Sequence, residues 1–310
     1  MPPAPTTAPL PPARLAAAAT WSRLHTFLAV IDTGSVRAAS DQLHVTPPAV
    51  SAAVGALERE LGAPLFVKEG RGITPTPAGR TFARYARSLL GLLDEAAIAV
   101  RDTERSRLRL GAVATAAEFV LPPLLAAFAT SHPHVELSLT VAPRDALFAS
   151  LQHHEIDLVL AGRPPRGSGL VTRGRRPTRL VVVAAPTVAA TTTSPAQATW
   201  LLRSTGSGTL RATHELLAGF ATPPRTLTLG TAGAVVAAAR AGLGVTLVHE
   251  DAVTEDLSSG RLALVPLTGT PLDRPWHLVS NRTIPAAARS FVGQVRTADA
   301  VGGHAFGPAR

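Results

Sequence analysis

From Leu24 to Leu57 the chain marks out three short helices whose starts and stops are spelled by single residues, and this spacing leaves room for little but a small helical module. Leu24, Phe27, Leu28 and Ile31 recur at i, i+3, i+4 and i+7, one stripe of a first helix, and Gly34 supplies a left-handed stop. Ser35 is placed to cap a second helix that buries Val36, Ala39 and Leu43, and His44-Val45-Thr46 leaves only a tight turn before the next start. There Thr46 offers an acceptor to an orphan amide, while Pro47 lacks only a hydrogen that would go unused. The third helix buries Val50, Val54, Leu57 and Leu61. Its other face, Pro47, Pro48, Ser51, Ala52 and Gly55, is small and nearly uncharged, which permits close approach to a groove floor. A compact three-helix domain without a ligand is the plain alternative, but a short turn leading into a capped, smooth-faced helix is the helix-turn-helix pattern.

Leu65-Phe-Val-Lys68 and Ile73-Thr-Pro-Thr76 flank Glu69-Gly-Arg-Gly72, two extended runs around a glycine turn, which predicts a wing with Lys68 and Arg71 near phosphates. Thr76-Pro77 repeats the cap-plus-proline signal, and Phe82, Tyr85, Leu89, Leu92, Ala96 and Ala99 then alternate at threes and fours. The pattern is that of a dimerising helix, but at about two and a half heptads it needs support from the winged unit. An ordinary amphipathic helix is the alternative.

With these elements the chain resembles LysR-type transcriptional regulators. The resemblance rests on Phe27-Leu-Ala-Val, Gly34-Ser35, Ala38-Ala39, Leu43-His-Val-Thr46, Pro48-Ala-Val-Ser51, Leu57-Glu58, Glu60-Leu-Gly62, Leu65-Phe66 and Thr76-Pro77-Ala-Gly79. It implies an α+β multidomain protein: a winged helix-turn-helix, a linker helix and a two-lobed α/β effector domain of periplasmic-binding-protein type. The implied partners are promoter DNA, a small effector and further copies of the chain as homodimer or homotetramer, with RNA polymerase as a further candidate. The expected DNA-contacting set is Ser35, Arg37, Thr46, Pro47, Pro48, Ser51, Ala52, Lys68 and Arg71. The family usually has glutamine where Pro47 stands, and often arginine or glutamine at Ala52 and Ala53. Paired hydrogen bonds to base edges discriminate by about 1–3 kcal/mol each, so their absence predicts heavier reliance on DNA shape and flanking contacts.

A length of 310 residues predicts two or three domains, and 46% hydrophobic content is ample for their cores. The formal charge is +9, yet residues 21–80 hold six Lys or Arg against five Asp or Glu. Weak phosphate attraction by one copy makes oligomeric binding to several half-sites the expected route to affinity. The absence of cysteine excludes disulfides, thiolate metal sites and cysteine nucleophiles. No apolar run approaches 18 residues and the amino-terminal segment is a poor secretion signal, so no membrane is expected as a partner and the expected compartment is the cytoplasm. Residues 1–20 read as a disordered extension, 21–80 as the winged unit, 81–106 as linker helix and hinge around Arg105 and Arg107, and 297–310 as a flexible tail.

Beyond the hinge, strands alternate with helices. Leu108 to Val113, Val135 to Val141 and Ile156 to Leu160 form one set; Leu180 to Val183, Thr226 to Leu229 and Val245 to Val248 form another, with a helix from Thr231 to Ala241. The late strand Trp276 to Val279 and the helix Pro285 to Val295 return to the first lobe if the chain crosses back, a crossing that only the family resemblance supplies. Lobe I is thus expected over 107–163 and 268–296, and lobe II over 164–267. Between Leu158 and His214 stand eight arginines, Arg163, Arg166, Arg173, Arg175, Arg176, Arg179, Arg203 and Arg211, without one acidic residue. A solvated surface or a subunit contact is the default reading. Gly206-Ser-Gly-Thr209 lies inside this run, and glycine amides with hydroxyls can cradle a phosphate or carboxylate.

The effector half also resembles the LysR-type regulators of carbon dioxide fixation operons, through Leu121-Pro-Pro-Leu124, His132-Pro133, Asp157-Leu158, Gly162-Arg-Pro-Pro165, Gly206-Ser-Gly-Thr209 and Ala241-Gly-Leu-Gly244. This implies a small anionic effector, phosphorylated or carboxylate, held by Thr115, Arg163 at the lobe crossover, Ser207, Thr209, Thr231 and Thr246. For the threonines an ordinary cap or turn role stands beside that reading. His132-Pro-His134 and His153-His154-Glu155 lack the helical i, i+4 pair of a zinc protease, so no metal is expected. Gly242-Leu-Gly244 runs into a strand and lacks a third glycine, and there is no Gly-x-Ser-x-Gly elbow. No cofactor and no catalytic set are therefore expected; a metabolic enzyme or ligand-binding protein for an anionic substrate, fused to a small interaction domain, is the distant alternative.

Overall fold

The helix starts signalled by Ser35, Thr46 and Thr76 each coincide with a side-chain cap. The computed structural model describes residues 21–69, 72–101, 107–192, 195–204, 207–297 and 305–308; the expectations for residues 1–20, Arg71, Arg105 and Gly206 lie outside them. The chain divides after Arg101 into two units. In the first, helix α1 (Trp21–Thr33) buries Leu24, Phe27, Leu28 and Val30 and stops at Gly34, whose φ is +64°. Ser35 Oγ accepts from the Ala38 amide at 3.3 Å to start α2 (Val36–Leu43), and Thr46 Oγ1 accepts from Ala49 at 3.4 Å to start α3 (Pro47–Leu61). His44, in the turn between them, takes a left-handed φ of 54°.

Strands β1 (Phe66–Glu69) and β2 (Gly72–Pro75) pair antiparallel as the wing. Glu58 Oε1 ties it to α3 by accepting the Leu65 and Phe66 amides at 2.7 and 3.2 Å. Thr76 Oγ1 accepts from Gly79 at 2.9 Å and opens α4 (Pro77–Arg101). A Cβ on Gly79 would lie 2.0 Å from the Leu65 carbonyl oxygen, so only glycine fits. Because α4 starts at Pro77 and packs Ala83, Ala86 and Leu90 against Leu24, Phe27, Leu57 and Leu65, it is part of the winged unit's core, and a boundary at residue 80 falls inside it. On another side of α4, Tyr85 (64% exposed), Leu89 and Leu92 stand free.

The second unit opens with β3 (Arg107–Ala112), α5 (Ala114–Phe119), α6 (Leu121–Ser131), β4 (Glu136–Val141), α7 (Arg144–Gln152) and β5 (Leu158–Ala161). Asp157, its side chain 3% exposed, accepts the Arg109 amide at 2.8 Å and pairs with that guanidinium at 2.6 Å, pinning β3 to the start of β5. Next comes β6 (Val171–Arg176), a strand hidden in the arginine run, and then lobe II: β7 (Arg179–Ala184), α8 (Pro186–Thr191), β8 (Trp200–Leu202), α9 (Gly208–Leu217), β9 (Thr226–Thr228), α10 (Ala232–Arg240), β10 (Thr246–His249), α11 (Thr254–Ser258), β11 (Ala263–Leu264) and β12 (Leu272–Asp273). Strand β13 (Trp276–Ser280) and α12 (Ala286–Arg296) return to lobe I.

Lobe I holds a five-stranded sheet in the order β4-β3-β5-β13-β6, with β13 antiparallel to both its neighbours; lobe II centres on β10-β7-β11, with β12 also on β7. The lobe limits therefore differ from the expected ones. The first crossing lies between Arg176 and Arg179 rather than at Arg163, because β6 pairs with β13 in the lobe I sheet. The return lies between Asp273 and Trp276, because β12 still pairs with β7 in lobe II. The tail also departs from expectation: Phe306 is 1% exposed in the lobe I core, its amide donates to Val295 O at 2.8 Å, and Gly307 O accepts from Arg175 at 2.9 Å. Among the described residues, no helix is long and apolar enough to cross a membrane.

Candidate functional site

The third helix presents Pro47, Pro48, Ser51 and Ala52 to solvent, with Arg37 exposed on α2 and Lys68 exposed on the wing. Their burial is set by the opposite face, where Val50, Val54 and Leu57 pack inward. Ser35 and Thr46 differ from the rest of the expected set, since their hydroxyl oxygens are engaged in capping. What remains at the front of α3 is small, so the backbone can lie near a groove floor, and Ser51 is the one hydroxyl there free of a capping role.

In the second unit a cleft of about 670 Å³ takes its walls from both lobes. Four of the six expected effector residues line it: Thr115, Arg163, Ser207 and Thr209. Ser207 caps α9 by accepting from Leu210 at 3.4 Å, and Ser207, Gly208 and Thr209 at the start of that helix line the cleft. The other two do not line it. Thr231 Oγ1 accepts from Ala234 at 3.1 Å as the cap of α10, and Thr246, 1% exposed, donates to the Leu201 carbonyl at 2.9 Å within lobe II. Both hydroxyls are spent on backbone within lobe II, Thr231 on the cap of its own helix and Thr246 on the neighbouring strand β8.

The cleft also contains residues that sequence reasoning did not single out as ligand contacts. Arg203, just after β8, reaches across to lobe I, where its Nη1 donates to Thr115 Oγ1 at 2.8 Å, while its buried Nε has no partner. Burial pulls this guanidinium below its ordinary pKa against the opposing field of Glu118. Arg144 donates to the Arg163 carbonyl, pairs with Asp145 and lies over the Phe148 ring at 5.0 Å. Arg211 and Arg274 also line the space, and among the described residues Asp273 is the sole carboxylate on its walls. His249, at the end of β10, stacks on Trp276 with centroids 4.2 Å apart. Burial pushes His249 down to about 4, Asp251 opposing and Arg203, Arg274 and Arg176 adding to the fall. His277 is lowered by burial, then by Arg163 and Arg175. Nδ1 of each histidine is buried without a partner. For Arg203 and Arg211 the only signal in the chain was the eight-arginine run, which does not distinguish them from structural members; Arg144, His249, Arg274, Trp276 and His277 lie outside it. Arg173 is bonded to Ser280 Oγ at 2.7 Å and Arg179 to Glu250 at 2.8 Å, both away from the cleft. Among the described residues no group of three or more His, Asp or Glu could hold a metal ion.

A winged helix-turn-helix unit followed by a two-lobed cleft domain defines a DNA-binding regulator that responds to a small molecule, not an enzyme. Residues 21–80 match the bacterial regulatory helix-turn-helix protein, lysR family, and residues 101–300 match the LysR substrate binding domain. The chain belongs to the LysR family of transcriptional regulators. It is 32% identical to the HTH-type transcriptional regulator CfxR of Cupriavidus necator over 87% of this chain and 89% of that one. It is 30% identical to the RuBisCO operon transcriptional regulator of Acidithiobacillus ferrooxidans, over 92% and 96%. The fold is shared with full-length LysG from Corynebacterium glutamicum with bound effector Arg (TM-score 0.65, 22% identity, 88% of this chain and 96% of that one). It is shared with full-length CbnR complexed with its target DNA (TM-score 0.56, 23% identity, 89% and 98%). The Synechocystis PCC6803 CcmR regulatory domain in complex with 2-PG matches 61% of this chain and 95% of its own (TM-score 0.52, 24% identity).

Proposed function

We propose that this LysR-type regulator answers to a small anionic metabolite bound in the cleft between its lobes, and that its promoter belongs to a carbon dioxide fixation operon. One observation carries the first half: Arg203 is a half-buried cation whose buried Nε has no partner, and among the described residues no carboxylate is in ion-pair contact with it, Glu118 acting only through its field. A charge held partly out of water in that state calls for an opposite charge, and a ligand anion supplies it. Arg163 and Arg211 line the same space, likewise without an ion-pair partner among the described residues. The α9 amides beside Ser207 favour the same sign. The CcmR domain with 2-PG supports the idea that this fold accommodates such a ligand. The operon assignment draws on the relatives CfxR and the RuBisCO operon regulator alone.

DNA is engaged from the face of α3 with Ser51 and Ala52, flanked by Arg37, Lys68 and Arg71, in cytoplasmic oligomers joined through Tyr85, Leu89 and Leu92 of α4. The effector acts by population shift: the lobe arrangement it prefers resets the spacing or tilt of paired DNA units. The test is thermal stabilisation by phosphorylated sugars, phosphoenolpyruvate, NADPH and simple carboxylates. A ligand at 100 times its Kd should add about 2.7 kcal/mol. An Arg203→Gln variant should lose the response and keep basal DNA binding; silence of every anion on the native chain refutes the reading.

A further inference from the structure

Two segments carry the chain between the lobes, Arg176-Pro177-Thr178-Arg179 outward and Asp273-Arg274-Pro275-Trp276 back. Each contains a proline, which fixes one φ and stiffens the segment. They run side by side, with the Arg274 amide donating to the Thr178 carbonyl at 2.9 Å, and Arg176 faces Trp276 in the β6–β13 register. Both converge on one acidic residue of lobe II. Asp251, in the turn after β10, accepts from Arg176 Nη2 at 2.5 Å, Thr178 Oγ1 at 2.9 Å and Trp276 Nε1 at 2.7 Å. Two of these donors belong to the outgoing crossing and one to the returning one. The carboxylate and the Arg176 side chain are each little more than a tenth exposed, or less. Burial works against the charged carboxylate, but the Trp276, Arg176 and Thr178 contacts outweigh it and hold Asp251 below the usual carboxylate range.

The end of β10 contacts Trp276 as well: His249, two residues before Asp251, stacks on the indole at 4.2 Å and lines the cleft. We propose that Asp251 is the positioning residue of the effector domain's hinge: one lobe II carboxylate fastens both crossings, and the His249–Trp276 stack passes the occupancy of the cleft to it. A ligand that moves the His249 ring moves the indole whose N–H the carboxylate holds, and stiff, proline-bearing crossings transmit that displacement instead of absorbing it. The second half of this inference rests on the cleft being the effector site.

The experiment is hydrogen–deuterium exchange on the full-length protein, wild type against Asp251→Asn, which keeps the shape of the side chain and drops its charge. Loss of one charge-assisted bond should raise exchange at both crossings by about tenfold or more, with β5 and β7 unchanged. Thr178→Val, which removes a single neutral donor, should loosen the same segments less, and it serves if the first variant fails to fold. Increased exchange at one crossing only, or spread evenly through both lobes, overturns the hinge. In parallel, 5-fluorotryptophan labelling gives a signal for Trp276, identified with Trp276→Phe, during titration with inorganic phosphate. Phosphate should shift it in the wild type and leave it still in Asp251→Asn. A signal deaf to phosphate in both proteins, although phosphate stabilises the native chain thermally, overturns the coupling alone; if no anion stabilises it, the anionic reading beneath falls too, and in either case the altered hinge exchange leaves the fastening role standing.

Discussion

Replacing His249 by Phe should flatten the acid side of the protein's stability profile. The variant keeps a flat ring against Trp276 but cannot take a proton, so it isolates one titration. In the folded chain His249 ionises near 4 rather than 6.5, chiefly because of burial. A folded pKa below the unfolded one means the unfolded chain binds the proton first as pH falls. The neutral imidazole therefore costs nothing above about pH 7, and stability is lost progressively from about 6.5 down to about 4. Working the linkage through gives a loss of about 2 kcal/mol by pH 5. Urea denaturation at one protomer concentration, at pH 7.5 and pH 5.0, reads it directly. Wild type should lose about 2 kcal/mol more than His249→Phe between the two conditions. Equal losses would mean that the imidazole is solvated or already charged when folded, and would refute both the burial argument and the neutral state of His249 at the cleft wall.

Asp157→Ala should destabilise by about 3–5 kcal/mol, since it strands the Arg109 guanidinium and an amide that the buried carboxylate holds; an effect below 1 kcal/mol in denaturant titration would contradict the buried-pair reading. Thr231→Ala should cost about 1 kcal/mol of a helix cap and leave effector response intact, because that hydroxyl lies outside the cleft; a lost response at unchanged Tm would return it to the site. Ser51→Glu should abolish promoter binding in a mobility shift through bulk and phosphate repulsion, and retained affinity would remove α3 from the groove. Leu89→Asp should shift light-scattering mass toward the protomer, and an unchanged mass would free the α4 face of an assembly role.

The features legible in the chain were those written within a few residues. Ser35, Thr46 and Thr76 cap helices where each is followed by its own amide three positions on, and Gly34 stops one where a left-handed residue is needed. Strand β6 was illegible because Val171 to Arg176 is polar and basic without alternation; its arginines are tolerated through partners far along the chain, Ser280 for Arg173 and Asp251 for Arg176. The lobe limits failed with it. Thr231 and Thr246 had the right residue type at plausible positions but lie outside the cleft, one hydroxyl capping its own helix and the other bonded to Leu201, a partner far along the chain that nothing local announces. Arg203 stood among eight arginines, and only its burial beside Thr115 distinguishes it. Trp276 and His277 sit at the head of a strand whose apolar pattern says core, and nothing local reveals that the strand begins at a crossing.

The docking of Phe306 makes residues 305–308 a component of lobe I. Gly174 on β6 has no side chain because the Phe306 Cβ would stand 2.9 Å from a Cβ placed there, so the aromatic ring and the bare backbone are a matched pair. Emptying that pair, as Phe306→Ala would, opens a slot beside the strand that leads into the outgoing crossing, so a residue far from the cleft in sequence bears on the segment that joins the lobes as well as on the core.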